Sequence, residues 1–296
     1  MRIFQVDAFT RQPFTGNPAS VVLGAQGRPD ATLGAIAREY RHAEVAFVLP
    51  PEGPDHDLKV RFFNARREAP FVGHATLAAH AVLLAQGLHR PGISRQKSGT
   101  GILEVRTSEG DGGLQVEFRQ EAPSFEPPLT AAQAGRVARA LGLSPGELHP
   151  RLPALIARKG STRLLLPVSG PGVLDDLAPD VAALLGLGVE LGAEGFFVFA
   201  PARDAAGVRT VSRMFCPIIG IDEDPVSGNA HAMLARLLWD AGELDAADPA
   251  FIGHQGAQLH RPGEVQVRLE IEAGAMRAAR IGGAAVIVSE GLLTGF

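Results

Sequence analysis

A chain of 296 residues with 46% hydrophobic, 20% charged and 6% aromatic side chains can bury the core of one large domain, or of two domains of about 150 residues each. A net charge of -4 with dispersed Lys and Arg argues against a nucleic-acid surface, and no apolar run reaches the roughly 18 residues of a membrane span. The single cysteine, Cys216, excludes a disulfide framework, a multi-cysteine zinc site and any mechanism that needs two thiols. A cytoplasmic globular protein is expected, because MRIFQVDAFT carries Asp7 where a signal peptide would need an apolar stretch.

In chain order, alternating or β-branched runs bounded by Gly, Pro or Asp predict strands over 3–8, 20–24, 44–50 and 58–63. A helix is predicted over 30–40, with Leu33, Ile36 and Ala37 on one face. The run 74–86 is Ala, Leu and Val almost throughout, and a helix apolar all round is buried on all sides. Strands follow over 101–107 and 113–119, and the three prolines in 121–128 suggest a linker. Beyond it come a helix over 130–141, strands over 153–158, 163–167, 195–200 and 208–215, a helix over 229–241, and strands over 264–272 and 284–289. Strands dominate without sustained βαβ alternation, which favours an α+β architecture over a doubly wound sheet.

Two segments look alike. GHATLAAHAVLLAQG (73–87) and GNAHAMLARLLWDAG (228–242) both begin with Gly, carry Ala two residues on and close with Gly fourteen residues on. Each follows an acid and a proline, Glu68 with Pro70 and Asp224 with Pro225. Such a thin match suggests two similar lobes, although two Ala-rich buried helices would share much of it by chance.

A buried helix still has unpaired N–H groups at its start, and Gly there lets a ligand approach the backbone. The starts at Gly73 and Gly228 could therefore grip a small anion such as a carboxylate, or they could simply be tight turns. Glu44, His74, Asp224 and Asn229 cluster near these turns. Singly, each has an ordinary explanation: a strand-edge charge, a half-buried imidazole, a turn acid and a helix cap. Together, acid, imidazole and helix ends are what general acid-base work on a small anionic substrate requires. His231 could be core or rim, and Arg66 and Arg67 could steer an acidic substrate or be solvated. The sequence has no Walker-type loop, no Gly-x-Gly-x-x-Gly after a strand, no His-Glu-x-x-His and no nucleophile-elbow serine, so no cofactor and no metal is expected.

Several longer segments resemble the phenazine-biosynthesis PhzF-like family. They are VDAFTRQPFTGNPASVVL (6–23), AEVAFVL (43–49), FFNARREAPFVGHATLAAHAVL (62–83), RMFCPIIGIDEDPVSGNAHAMLARLL (213–238) and GGAAVIVSEG (282–291), in family order over nearly the whole chain. The resemblance implies a diaminopimelate-epimerase-like α+β fold of two similar lobes, each a curved sheet or barrel wrapped around a central buried helix. Lobe one would span 1–122, joined by a strand near 285–296, and lobe two 128–284, with the active site in the cleft between them.

The resemblance also implies a cofactor-independent isomerase that shifts a proton by general acid/base catalysis on a small carboxylate-bearing substrate, similar to trans-2,3-dihydro-3-hydroxyanthranilate isomerase. Carried over by motif, Glu44 matches the proton-moving acid/base, and His74 and Asp224 match groups that orient and polarise the substrate. Gly73, Gly228, Asn229 and Asn17 match substrate-binding positions, and a homodimer is implied by analogy. The epimerases' two cysteine positions hold His74 and Asn229 here, which excludes two-thiol racemisation. Burial would have to raise the pKa of Glu44 for it to exchange protons near neutrality.

Departures from the family pattern at His42-Ala43, Asn64-Ala65, Asn229 and 259–263 predict a substrate other than the phenazine precursor. The competing reading is a non-catalytic protein that keeps the cleft to bind a metabolite or partner. A metal hydrolase using His74, Asp224 and His231 lacks ligand spacing.

Overall fold

The computed structural model describes residues 1–40, 44–110, 113–204 and 207–295. It divides into two compact units: unit 1 comprises Met1–Arg119 and Ile281–Phe296, and unit 2 comprises Gln120–Arg280.

Unit 1 contains β1 (Arg2–Ala8), β2 (Asn17–Leu23), α1 (Asp30–Tyr40), β3 (Val45–Leu49), β4 (Leu58–Phe63), β5 (Glu68–Ala69), α2 (Gly73–Ala85), β6 (Gly92–Ser98), β7 (Gly101–Gly110) and all but the last two residues of β8 (Gly113–Glu121). β9 (Ser124–Phe125), α3 (Ala131–Ala140), β10 (Leu155–Arg158), β11 (Thr162–Pro167), α4 (Val181–Leu191), β12 (Gly195–Asp204) and β13 (Gly207–Cys216) belong to unit 2. So do β14 (Ile221–Asp224), α5 (Gly228–Asp240), β15 (Ala250–Gln255) and β16 (Gly263–Glu272). The chain returns to unit 1 within β17 (Ala275–Leu292).

In unit 1, β1 lies antiparallel between β2 and β17, with Phe4 opposite Val21 and Asp7 opposite Val286. β2 runs parallel to β3, β3 antiparallel to β4, and β4 parallel to β6; β7 and β8 follow as antiparallel neighbours. β8 pairs in turn with β17, which closes a ring of strands. α2 is buried from Ala75 to Leu84, as a helix without a polar face requires. α1 makes the crossover between the parallel strands β2 and β3, and its Leu33, Ile36 and Ala37 pack on Val22, Val45, Phe47 and Phe63.

Unit 2 repeats the plan. β9, β10, β11, β12, β13, β15 and β16 neighbour one another in that order, with β11–β12 and β13–β15 parallel. α4 makes the β11–β12 crossover, and α3 and α4 cover Ile156, Leu164, Phe196 and Val198. α5 is the buried counterpart of α2, with Met233, Leu234 and Leu238 inaccessible to solvent. Both helices end at a left-handed glycine, Gly87 (φ 66°) and Gly242 (φ 70°), the closing residues of the two similar segments.

Three expectations need correction. Residues 121–128 are not a free linker: β9 pairs with β10, and the amides of Glu126 and Leu129 bond to the carbonyls of Ile156 and Ala154. Sequence periodicity also missed β6, β14, β15 and α4. Finally, β17 is far longer than the strand expected over 284–289.

Candidate active site

Unit 1 brings Glu44 and His74 together. Glu44 immediately precedes β3, and His74 is the second residue of α2. Their side chains are 14% and 11% exposed, with His74 Nε2 3.5 Å from Glu44 Oε2. That separation is too long for a hydrogen bond, and Nε2 is buried with no hydrogen-bond partner among the described residues. Burial pushes the imidazole down to about 4, so a neutral ring faces the carboxylate at pH 7.

The helix start beside them carries no side-chain cap. Its N-cap residue is Val72, and the first turn holds no acid. Val72 has no side chain able to cap the amides of Gly73, His74 and Ala75, and the helix dipole favours an anion there. Gly73 has a packing reason as well, since a Cβ at that position would stand 3.1 Å from the Phe118 ring. Asn17, 1% exposed, opens β2. The parallel register of Ser20 with Val45 puts it at the same end of the sheet as Glu44.

Unit 2 gathers Asp224, Gly228 and Asn229 at one turn. Asp224 ends β14, Gly228 begins α5, and Asn229 occupies the position that His74 holds in α2. The cap is Ser227, whose hydroxyl accepts from the Ala230 amide at 3.3 Å, so neither Asp224 nor Asn229 fills the role of plain cap. The Asn229 amide is instead locked to a hairpin turn. Its Oδ1 accepts from Ser161 Oγ at 2.7 Å, and its Nδ2 donates to the Lys159 carbonyl at 3.1 Å. His231 lies in the core, not at the rim; its Nδ1 donates to the Ser227 carbonyl at 2.7 Å.

Arg213 and Gln255, neither with an expected role, shape this turn. Arg213 grips Glu223, the neighbour of Asp224, through two hydrogen bonds of 2.8 Å each, and also donates to the Leu174 carbonyl. The Gln255 side chain bonds to the backbone of Asp224 and Ser227. Arg213 fell inside a recognised motif but had no visible partner in sequence. Gln255 gave no signal, because its partners are backbone atoms remote along the chain. Of the substituted positions, Asn64 accepts from the amides of Arg66 and Arg67 at 2.9 Å each, and both arginines are exposed. His42 and Ala43 lie outside the described residues.

Strands wrapped about one Gly-initiated central helix, in each of two units, define the fold class of amino-acid racemases and epimerases. The hydroxyproline epimerase from Agrobacterium vitis superposes with a TM-score of 0.61 over 98% of this chain and 91% of that one; at 15% identity, the likeness is one of fold. Residues 6–291 match the family profile described as phenazine biosynthesis-like protein (PhzC-PhzF), and the chain belongs to that family. The Bacillus anthracis phenazine biosynthesis protein of the PhzF family superposes with a TM-score of 0.87 at 25% identity, covering 99% of both chains. The uncharacterized isomerase YddE of Escherichia coli O157:H7 is 36% identical over 292 residues, covering 97% of this chain and 96% of that protein. The protein is an isomerase of this family.

Proposed function

We propose that the protein moves a proton within a small carboxylate-bearing substrate by general acid/base catalysis, without a cofactor. The observation that carries this reading is the Glu44–His74 pair at the uncapped start of α2. The substrate carboxylate would sit on the amides of Gly73, His74 and Ala75, with Asn17 at the same sheet end. Glu44 would take a proton from a carbon conjugated to that carboxylate. The C–H electron pair would pass into the adjoining π system, and Glu44 would return the proton at another carbon. Neutral His74, whose Nε2 has no partner among the described residues, is suited to hydrogen-bond the substrate without adding a charge beside Glu44.

In unit 2, Asp224 and the α5 start at Gly228 and Asn229 are assigned to substrate orientation. Asn229 would act through its backbone amide, since its side chain is spent on Ser161 and Lys159. That differs from the matching position in α2, where the buried His74 Nε2 has no hydrogen-bond partner among the described residues. Together with the departures at Asn64-Ala65 and 259–263, it supports a substrate other than trans-2,3-dihydro-3-hydroxyanthranilate.

Deuterium entry from D₂O, read by NMR, tests the proposal. The panel would hold trans-2,3-dihydro-3-hydroxyanthranilate, trans-4-hydroxy-L-proline and other cyclic carboxylates. Wild-type protein should exchange a C–H position of at least one of them, and Glu44→Gln should slow that exchange roughly 10²–10⁴-fold. Binding across the panel with no exchange in wild type would move the assignment to a metabolite-binding protein.

A further inference from the structure

We infer that Gln255 is a positioning residue that holds open the turn carrying Asp224 and the start of α5; the catalytic half of this inference rests on the role proposed above for Asp224. Gln255 is the last residue of β15 and is 3% exposed. Its Oε1 accepts from the Ser227 amide at 3.0 Å, and its Nε2 donates to the Asp224 carbonyl at 2.6 Å. Asp224 and Ser227 are three residues apart. Their carbonyl and amide are the pair that would ordinarily close a four-residue turn on itself. The Gln255 amide stands in for that bond and satisfies both groups while keeping them apart.

The clamp starts from fixed backbone. Gln255 pairs in register with Ser212 of β13 and Gly263 of β16. The next residue, Gly256, has φ +91°, and a Cβ there would stand 2.8 Å from the Pro225 carbonyl oxygen and 2.3 Å from that of Arg261. The corner after β15 is thus pressed against the same turn. Arg213 holds Glu223 immediately upstream, so the chain entering the turn is fixed as well. An apolar side chain could fill the space of Gln255, but only a group that both donates and accepts can make both of these bonds and so hold the turn open.

Two variants test the assignment in the full-length protein. Gln255→Leu removes both bonds. Gln255→Glu keeps an acceptor for the Ser227 amide but, while ionised, loses the donor to Asp224. Amide exchange resolved by residue requires no substrate. In Gln255→Leu the Ser227 and Gly228 amides should exchange at least about tenfold faster, while Leu234 and Leu237, deeper in α5, keep wild-type protection. With the panel carboxylate that wild type exchanges fastest, kcat should fall roughly 10- to 100-fold with KM changed far less.

Gln255→Glu should recover kcat relative to wild type as pH falls, because a protonated carboxyl again donates to Asp224 while accepting from Ser227. A merely space-filling role would show no such acid-side recovery. Wild-type protection at Ser227 and Gly228 in a folded Gln255→Leu, or a Gln255→Glu profile parallel to wild type, would overturn the inference. Asp224→Asn run alongside separates the two claims: wild-type exchange in that variant would overturn the role of Asp224 and leave the amide-exchange result standing.

Discussion

At the scale of single residues, close approach explains choices that polarity does not. Gly253 of β15 faces the His231 ring, and a Cβ there would lie 2.1 Å from ring Cδ2 and 2.2 Å from Nε2. The ring has no space to retreat, since Phe197 stands edge-on at 5.2 Å and Phe251 lies on another side at 6.5 Å. Gly253→Ala should therefore destabilise the protein by about 1–3 kcal/mol or more, read from the urea midpoint at constant slope. A residue at 253 that cost nothing would mean that His231 is not held where its bond to Ser227 requires. Sequence marked His231 only as core or rim; burial and a carbonyl four residues back decided for core. Glu44 and His74 were legible as candidates, but their 3.5 Å approach joins residues thirty positions apart and no spacing rule contains it.

Among the elements, the two central helices differ where it matters most. α5 is capped by Ser227, whereas α2 begins after Val72 with no side-chain cap. Ser227→Ala should cost about 1 kcal/mol in thermal unfolding and leave the remaining α5 bonds intact. A loss near zero would mean that the Ala230 amide finds another acceptor. Helix length and burial were readable from Ala- and Leu-rich composition, and the two glycine-bounded segments became two helices closed by left-handed glycines. Other elements were hidden by tertiary partners. β6 carries Gln96 inward, a polar residue that breaks apolar alternation and is satisfied by His80 at 3.0 Å and Thr76 at 3.3 Å. α4 contains Gly186 and Gly188, which read as breaks; Gly188 is there because a Cβ would strike Ile218 at 2.6 Å. The prolines of 121–128 suggested a linker, yet the intervening amides and carbonyls still pair with β10 and its approach.

For the whole molecule, His74, His80 and His231 shape the response to acid. His74, His80 and His231 are each lowered to about 4, in every case chiefly by burial. In the unfolded chain they would titrate near 6.5. Between those values the unfolded state binds more protons, so stability rises with pH and is lost as pH falls from about 6.5 toward 4. Each could contribute up to about 3 kcal/mol to that loss. Unfolding midpoints from pH 7.5 to 4.5 should fall progressively, and His80→Gln should flatten the slope if it folds. A flat profile over this window would show that these rings titrate in the native state as they do in the unfolded chain. A lowered His74 also leaves the ring neutral throughout the physiological range.

By itself the sequence determined the α+β class, the two apolar central helices, the family and the short list of chemically able residues. Each of these follows from composition, periodicity or a local motif, and local patterns survive translation into structure. Only the tertiary structure decided which groups meet and which are already spent. The Asn229 amide is taken by a hairpin turn, Asp224 is held through its own carbonyl by Gln255, and the His74 Nε2 beside Glu44 has no partner among the described residues. Hydrogen bonds and burial depend on distances of tenths of an ångström between residues far apart in the chain. Those distances are fixed by packing, not by any pattern a single stretch of sequence can carry.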